Sequence, residues 1–188
     1  MDAIEGQTDL LIGVPSAALY RYLLDFTRHP EWAANLSAVR QLTPGPVGVG
    51  TTFRAQEGPP PVPLLTKLRM MRHFVGGLLG GAKPYSQAEI TALEPGRRIA
   101  WRAGIPHGDS YFNLAEWEFL LEPQAEATRL TQRFRYLPQS RGAARMVGAA
   151  GADAIARACA VNLARLKAAA ERGLALAPAA GSLADQAS

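Results

Sequence analysis

The sequence predicts an α+β protein: a first strand, two short helical stretches, a run of antiparallel strands and one long final helix. Three observations carry this. Helical and two-residue hydrophobic periodicities occupy different parts of the chain, so helices segregate from strands. The middle is punctuated by turn phrases, TPGPVGVG, EPG and PQAEA, at hairpin spacing. The last helical stretch, from about Ser140 to Arg172, is the only element long enough to cover the apolar face of such a sheet.

Taken in order, residues 3–13 alternate loosely, with Leu10 and Ile12 on one side, and read as a strand. Pro15 and Ser16 open a helix whose Leu19, Tyr22, Leu23 and Phe26 recur at helical spacing and face inward. His29-Pro30 ends that helix and leaves His29 at the surface, and PEWAANL adds a second helical turn carrying Trp32. SAVRQL and TTFRAQ are strands joined by a tight turn over residues 44–50. QAEITAL turns at Glu94-Pro95-Gly96 into RRIAWRAG, and IPHGDS reads as a loop. In FNLAEWEFLLE, Glu116 and Glu118 share one side while Ala115, Trp117, Phe119 and Leu121 share the other. TRLTQRFRY puts Arg129, Thr131, Arg133 and Arg135 outward and Leu130, Gln132, Phe134 and Tyr136 inward. On the final helix Ile155, Cys159, Asn162 and Leu166 form one stripe. Gly173 can end it, and residues 174–188 read as a weakly ordered tail.

A chain of 188 residues makes one domain, assigned to 1–173, with 57–85 as an inserted segment. The single Cys159 excludes an internal disulfide, and no Cys/His cluster has metal-site spacing, so no metal and no cofactor is expected. The opening MDAIEGQTDL is acidic and polar, unlike a signal peptide, so a cytoplasmic protein is expected. The net charge of +4 is local. Lys67, Arg69, Arg72 and Lys83 lie between Gly58 and Ala88 with no acid among them, which leaves 20 − 4 = 16 basic against 16 acidic residues elsewhere. That pattern argues against a nucleic-acid footprint spread over a face and allows a local attraction to anionic lipid.

The phrases VPSAALYRYLLDFTRHPEW, LSAVRQLTPGPVGVGTTFR, EITALEPGRRIAWRAG and AEWEFLLEPQAEATRLTQRFRY, in this order before a long helix, carry a resemblance. Over about residues 3–172 the chain resembles the START/Bet v 1-like (SRPBCC) superfamily, in its bacterial polyketide cyclase/dehydratase-like branch. The resemblance implies a helix-grip fold, a curved antiparallel sheet wrapped around the long C-terminal helix with an internal apolar cavity. It implies a hydrophobic small molecule as partner: a lipid, a polyketide or a related aromatic. The family has no universal catalytic signature, so no mechanism is implied. The stretch from Glu57 to Tyr85 is longer than the hairpin expected there.

The residues predicted to line the cavity are Tyr22, Phe26, Trp32, Phe53, Trp101, Trp117, Phe119, Gln132, Phe134, Tyr136, Cys159 and Asn162. Each aromatic is equally an ordinary core residue. As a set they oppose a helix made largely of alanine, and large side chains against small ones leave either close packing or a void. Gln132, Tyr136 and Asn162 are polar on faces otherwise apolar, and a buried amide or phenol needs a partner: a neighbour, a water or a ligand oxygen. Cys159 on the inner stripe reads as an inert buried thiol. His107 and Asp109 could pair at a cavity mouth, although Gly-Asp-Ser is first of all a turn.

Residues 62–81, VPLLTKLRMMRHFVGGLLGG, hold a helix from Pro63 to about Val75. Leu64, Leu68, Met71 and Val75 share a face, with Leu65 beside it. Pro59 to Pro61 form a stiff lead-in, and Gly76, Gly77, Gly80 and Gly81 a loose exit. The charges interrupt the run too often for a membrane span. Three roles compete: a packing flap, a lid touching ligand through Leu68, Met71 and Phe74, and weak contact with an anionic membrane. The functional expectation is a binding or carrier protein for a hydrophobic molecule. The alternatives are a polyketide cyclase/aromatase-like enzyme using Tyr136, Gln132 or His107, and an interaction or membrane-docking module working through 62–81.

Overall fold

The computed structural model describes residues 2–58 and 61–175. Seven strands form one curved antiparallel sheet: β1 (Ile4–Ile12), β2 (Leu36–Gln41), β3 (Thr52–Glu57), β4 (Ser86–Glu94), β5 (Arg98–His107), β6 (Ser110–Gln124) and β7 (Ala127–Pro138). Their order across the sheet is β1-β7-β6-β5-β4-β3-β2, so β2 to β7 form a continuous meander and only β1 crosses to the far edge. Three helices complete the fold: α1 (Ser16–Leu24), α2 (Leu64–Leu79) and α3 (Arg141–Ala175). The α3 helix lies along β1, β6 and β7 on the concave side. This is the α+β helix-grip arrangement that the resemblance implies.

Alternation decides which side of the sheet each residue meets. Trp117 of β6 pairs with Trp101 of β5 and Phe134 of β7 on the concave side. Their neighbours Glu116 and Glu118 face Arg135 and Arg133 on the other, where Arg98–Glu118 (2.6 Å) and Arg102–Glu89 (2.7 Å) add to a solvated ladder. Exposed pairs of this kind contribute on the order of 0–1 kcal/mol each, so the ladder sets register and solubility more than stability.

One end of the concave side is solid. Phe26 stacks on Phe53 at 4.6 Å and meets Trp101 edge-on at 5.4 Å, with Phe119 and Trp32 closing the cluster. Leu163, Leu166 and Ala170 of α3 pack against it. The end of α3 is clamped to β1: the Gly13 N–H donates to Glu171 Oε1 (2.7 Å), and Lys167 Nζ reaches both that carboxylate (2.6 Å) and the Leu11 carbonyl (2.9 Å).

Several expectations change. The first helix ends at Leu24, and Phe26–Glu31 is a separate 3-10 helix, with Trp32 just beyond it. His29 is buried rather than at the surface. It stacks on Phe26 at 4.3 Å, and its Nε2–H donates to the Leu23 carbonyl (2.8 Å), an acceptor left over by the end of α1. In IPHGDS only Gly108-Asp109 turns, because Ile105 to His107 continue β5 past a bulge. The insert helix runs through Gly76 and Gly77 to Leu79, packed along α3. The final helix runs past Gly173 to Ala175. Pro59, Pro60 and residues 176–188, where most of the stiff lead-in and the tail were expected, lie outside the described residues.

The largest difference is within α3. Gly151 has φ 74° and ψ 159°, which splits the element into two helices that meet at an angle. L side chains rarely adopt that conformation, and it directs residues 141–150 away from the axis of 152–175. Gly151→Ala is expected to destabilise the fold by about 1–3 kcal/mol although no neighbour lies within 4 Å of its added methyl. Urea midpoints of the two proteins check this. Burial also pulls the His29 pKa from 6.5 down to about 4. The folded state therefore binds fewer protons than the unfolded one between these values. Stability is at its plateau above about pH 6.5 and is lost as pH falls toward 4, by about 3 kcal/mol in all. Denaturation midpoints at pH 7 and near pH 4.5 should show the loss, and His29→Leu should flatten it.

Candidate functional site

The other end of the concave side is open. Here the sheet contributes Ala103, Gly104 and Ile105 from β5, Asn113, Ala115 and Trp117 from β6, and Gln132 and Tyr136 from β7. The wall is α3 around its break, with Met146, Val147 and Ala150 before Gly151 and Ile155, Ala158, Cys159 and Asn162 after it. The roof is α2, through Lys67, Met70, Met71 and Phe74. Asn35, Glu57, Tyr85 and Ser86 stand at the rim. The cavity is about 340 Å³, the size of a site for a small organic molecule.

The cavity exists because small residues oppose one another. Ala103 and Ala115 on the sheet face Ala150 and Ala158 on the helix, where the solid end has Phe119 against Leu163 and Leu166. A Cβ on Gly104 would lie 2.6 Å from the Tyr111 ring and 2.7 Å from the Asn113 carbonyl, so this strand position accepts only glycine.

Few polar groups reach the cavity, and their states differ. Asn162 is committed to structure: its Oδ1 accepts the Ala34 N–H (3.0 Å) and its Nδ2 reaches Asn35 Oδ1 (3.4 Å). Asn113 Oδ1 accepts the Ile105 N–H (3.2 Å) across the bulge. Gln132 is buried, and its Oε1 has no partner among the described residues. Burial raises the Tyr136 pKa, with smaller contributions from Glu57 and Cys159, so the phenol keeps its proton. Burial likewise pushes Cys159 up to about 12, which leaves a neutral thiol. Glu57 ends β3 with its carboxyl turned into the protein. Glu57 is an exposed residue at the rim, and the protein packed around its carboxyl on the cavity side partly desolvates it and raises its pKa. The Ser86 Oγ–H donates to Glu57 Oε1 and offsets part of the rise. No Lys, Arg or His among the described residues forms an ion pair with it.

Of the residues predicted from the sequence, Trp117, Gln132, Tyr136, Cys159, Asn162, Met71 and Phe74 come together on this cavity. Tyr22, Phe26, Trp32, Phe53, Trp101 and Phe119 do not. They fill the solid end, because aromatic rings converging from both sheet and helix leave no room there. The Tyr22 hydroxyl donates to Glu31 Oε2 (2.8 Å), and the buried Trp32 Nε1 has no partner among the described residues, for which we have no physical account. Phe134 is buried behind Trp117 and Tyr136 rather than on the cavity surface. Leu68 points outward from α2 and does not line the cavity. His107 is not beside Asp109 in an acid–base pair at the mouth; its Nε2–H donates to the Gly80 carbonyl (2.7 Å) and pins the end of α2. Among the described residues no three His, Cys, Asp or Glu side chains gather where they could hold a metal ion.

Sequence reasoning missed Glu57, Ser86, Met70 and Met146. The signal for Glu57 was present: in TTFRAQE it shares the parity of Phe53 and Ala55, both buried.

Comparison with known proteins agrees with this architecture. No curated protein matches the chain. Among solved structures, the Zhui aromatase/cyclase of Streptomyces sp. R1128 superposes with a TM-score of 0.62 at 15% identity, covering 92% of this chain and 96% of its own. Ara h 8.0201 gives 0.58 at 10% identity, covering 91% and 99%. A Deinococcus radiodurans protein gives 0.52 at 23% identity, covering 90% and 98%. At such identities these likenesses speak to fold alone. The model of the family described as polyketide cyclase / dehydrase and lipid transport matches residues 4–171, and with that span the chain belongs to this family.

Proposed function

We propose that the protein binds a hydrophobic small molecule, a lipid, a polyketide or a related aromatic, in the cavity beneath α2, as a cytoplasmic carrier or binding protein. The single domain over 1–173 is the unit, with 57–85 as its inserted roof. One observation carries the reading: a 340 Å³ cavity lined mainly by Trp117, Phe74, Ile105, Ile155 and methionines, with Gln132 and Tyr136 among its few polar lining residues. A mainly apolar lining with a small number of polar groups is what holds and orients a small hydrophobic molecule. Met70, Met71 and Met146 give the walls side chains that adapt to different shapes.

Enzymatic action of the cyclase/aromatase kind is a second reading, supported by the likeness to an aromatase/cyclase and by Tyr136 and Gln132 on one cavity. Holding a flexible chain in a reactive fold is itself catalytic. His107 contributes nothing to it, being tied to Gly80.

A role for α2 at a membrane rests on its outer face. Leu64, Leu65, Leu68, Val75 and Leu79 are exposed, Leu64 at 72% and Leu79 at 86%, flanked by exposed Arg69 and Arg72 in a stretch of sequence, 58–88, that contains no acid. A second copy of the chain would bring these like charges together, whereas an anionic lipid surface complements them. No helix among the described residues is long and apolar enough to cross a membrane.

Two experiments follow. Ala158→Phe places a ring in the cavity and should weaken binding of 1-naphthol at least about tenfold, with far-UV circular dichroism unchanged. Equal affinity in the folded variant, read by tryptophan quenching, removes the cavity as the site. For α2, the protein should co-sediment with vesicles containing about one-third phosphatidylglycerol and not with phosphatidylcholine alone. Leu64→Ser/Leu68→Ser should cut that binding several-fold. Absence of wild-type sedimentation with the anionic vesicles would end the membrane reading.

A further inference from the structure

The rim carboxylate gives the cavity a chemical preference. Glu57 of β3, Gln132 and Tyr136 of β7 and Cys159 of α3 face one space, and Lys67 of α2 and Tyr85 ahead of β4 stand at its edge. The Tyr136 phenol keeps its proton and is a donor on this space, and the Glu57 carboxyl, which receives one hydrogen bond from Ser86, is its negative group. Lys67 lines the same cavity yet forms no ion pair with Glu57.

A ligand arriving with its own carboxylate would place a second negative charge by the first in a largely apolar site. A ligand arriving with a hydroxyl can donate to the Glu57 carboxyl and brings no charge. We propose that Glu57 forms a polar subsite that selects neutral, hydroxyl-bearing apolar molecules, phenols or alcohols, and turns away apolar carboxylates of the same size. The inference rests on the cavity reading above and specifies what that cavity takes.

Proton linkage supports the same conclusion. Burial holds the Glu57 pKa above its usual range. A carboxylate ligand could enter only with uptake of a proton, shared between the two carboxyl groups, so its affinity must rise as pH falls. Tyr136 and Cys159, the shifted groups facing Glu57, are both pushed upward and stay neutral up to pH 8. A phenol brings no such requirement.

The test compares 1-naphthol with 1-naphthoate, which each keep one charge state between about pH 6 and pH 8, by tryptophan quenching and calorimetry. At pH 8 the wild-type protein should bind naphthol at least about tenfold more tightly than naphthoate, the equivalent of one pKa unit. Naphthoate affinity should climb toward pH 6 while naphthol affinity stays flat. Glu57→Gln should bind naphthoate about tenfold better at pH 8 and lose the slope. The wild-type pH series stands even if the variant fails to fold. Equal binding of both probes at pH 8, a naphthoate preference removed by Lys67→Met, or an unchanged preference in folded Glu57→Gln would each overturn the subsite while leaving the cavity intact. If neither probe binds, the cavity reading falls and takes the subsite with it.

Discussion

One geometric constraint organises the molecule: a single helix must cover the concave side of a seven-stranded sheet. The space between them is filled only where both surfaces carry large side chains. At one end of the strands, Phe26, Phe53, Trp101 and Phe119 converge with Leu163 and Leu166 and pack solid. Toward Gln132 and Tyr136, alanine faces alanine, and the same architecture leaves a cavity. Stability and binding thus come from opposite ends of one interface. Packed aromatics hold the sheet to the helix, and the gap beside them costs dispersion contacts that a ligand can restore.

Much of this could be read from the sequence. Two-residue alternation fixed which side of β6 and β7 each residue meets, from Ala115 to Leu121 and from Leu130 to Tyr136. The inner stripe of α3 at Ile155, Cys159 and Asn162 was equally plain. Position along the strand was not. Periodicity tells that Trp101 and Trp117 share a face, but not that one is locked among rings while the other borders empty space. That depends on what the opposing helix carries at the same height, a tertiary fact. His29 was misplaced for a related reason: its sequence neighbours signal a helix end, whereas its burial follows from a carbonyl stranded at Leu23. Glu57 was hidden by a boundary. Treated as the start of an insertion, it lost the parity with Phe53 and Ala55 that brings it to the cavity rim at the end of β3.

The α2 helix serves two environments at once. Its inner side, Met70 and Phe74, closes the cavity, while its outer row of leucines meets solvent. A helix with apolar residues on more than one side ordinarily buries each of those sides. Here one half of that expectation is met by the cavity and α3. The C-terminal end is held at Gly80 by His107 and by the bridge between Ala82 and His107. Anchorage is therefore concentrated where α2 ends.

The break at Gly151 divides α3 into two parts with different packing partners. Residues beyond it are tied down through Leu163, Leu166 and the Lys167–Glu171 clamp onto β1. Residues before it contribute Met146, Val147 and Ala150 to the cavity wall and are joined to the clamped part through one glycine. Ala143, Met146 and Val147 are themselves buried in a cluster with Phe112 and Phe134, so the wall is seated on a small core of its own. The glycine thereby makes α3 a jointed beam: each end answers to a different core, and the span of the cavity between them follows from the angle at one backbone position.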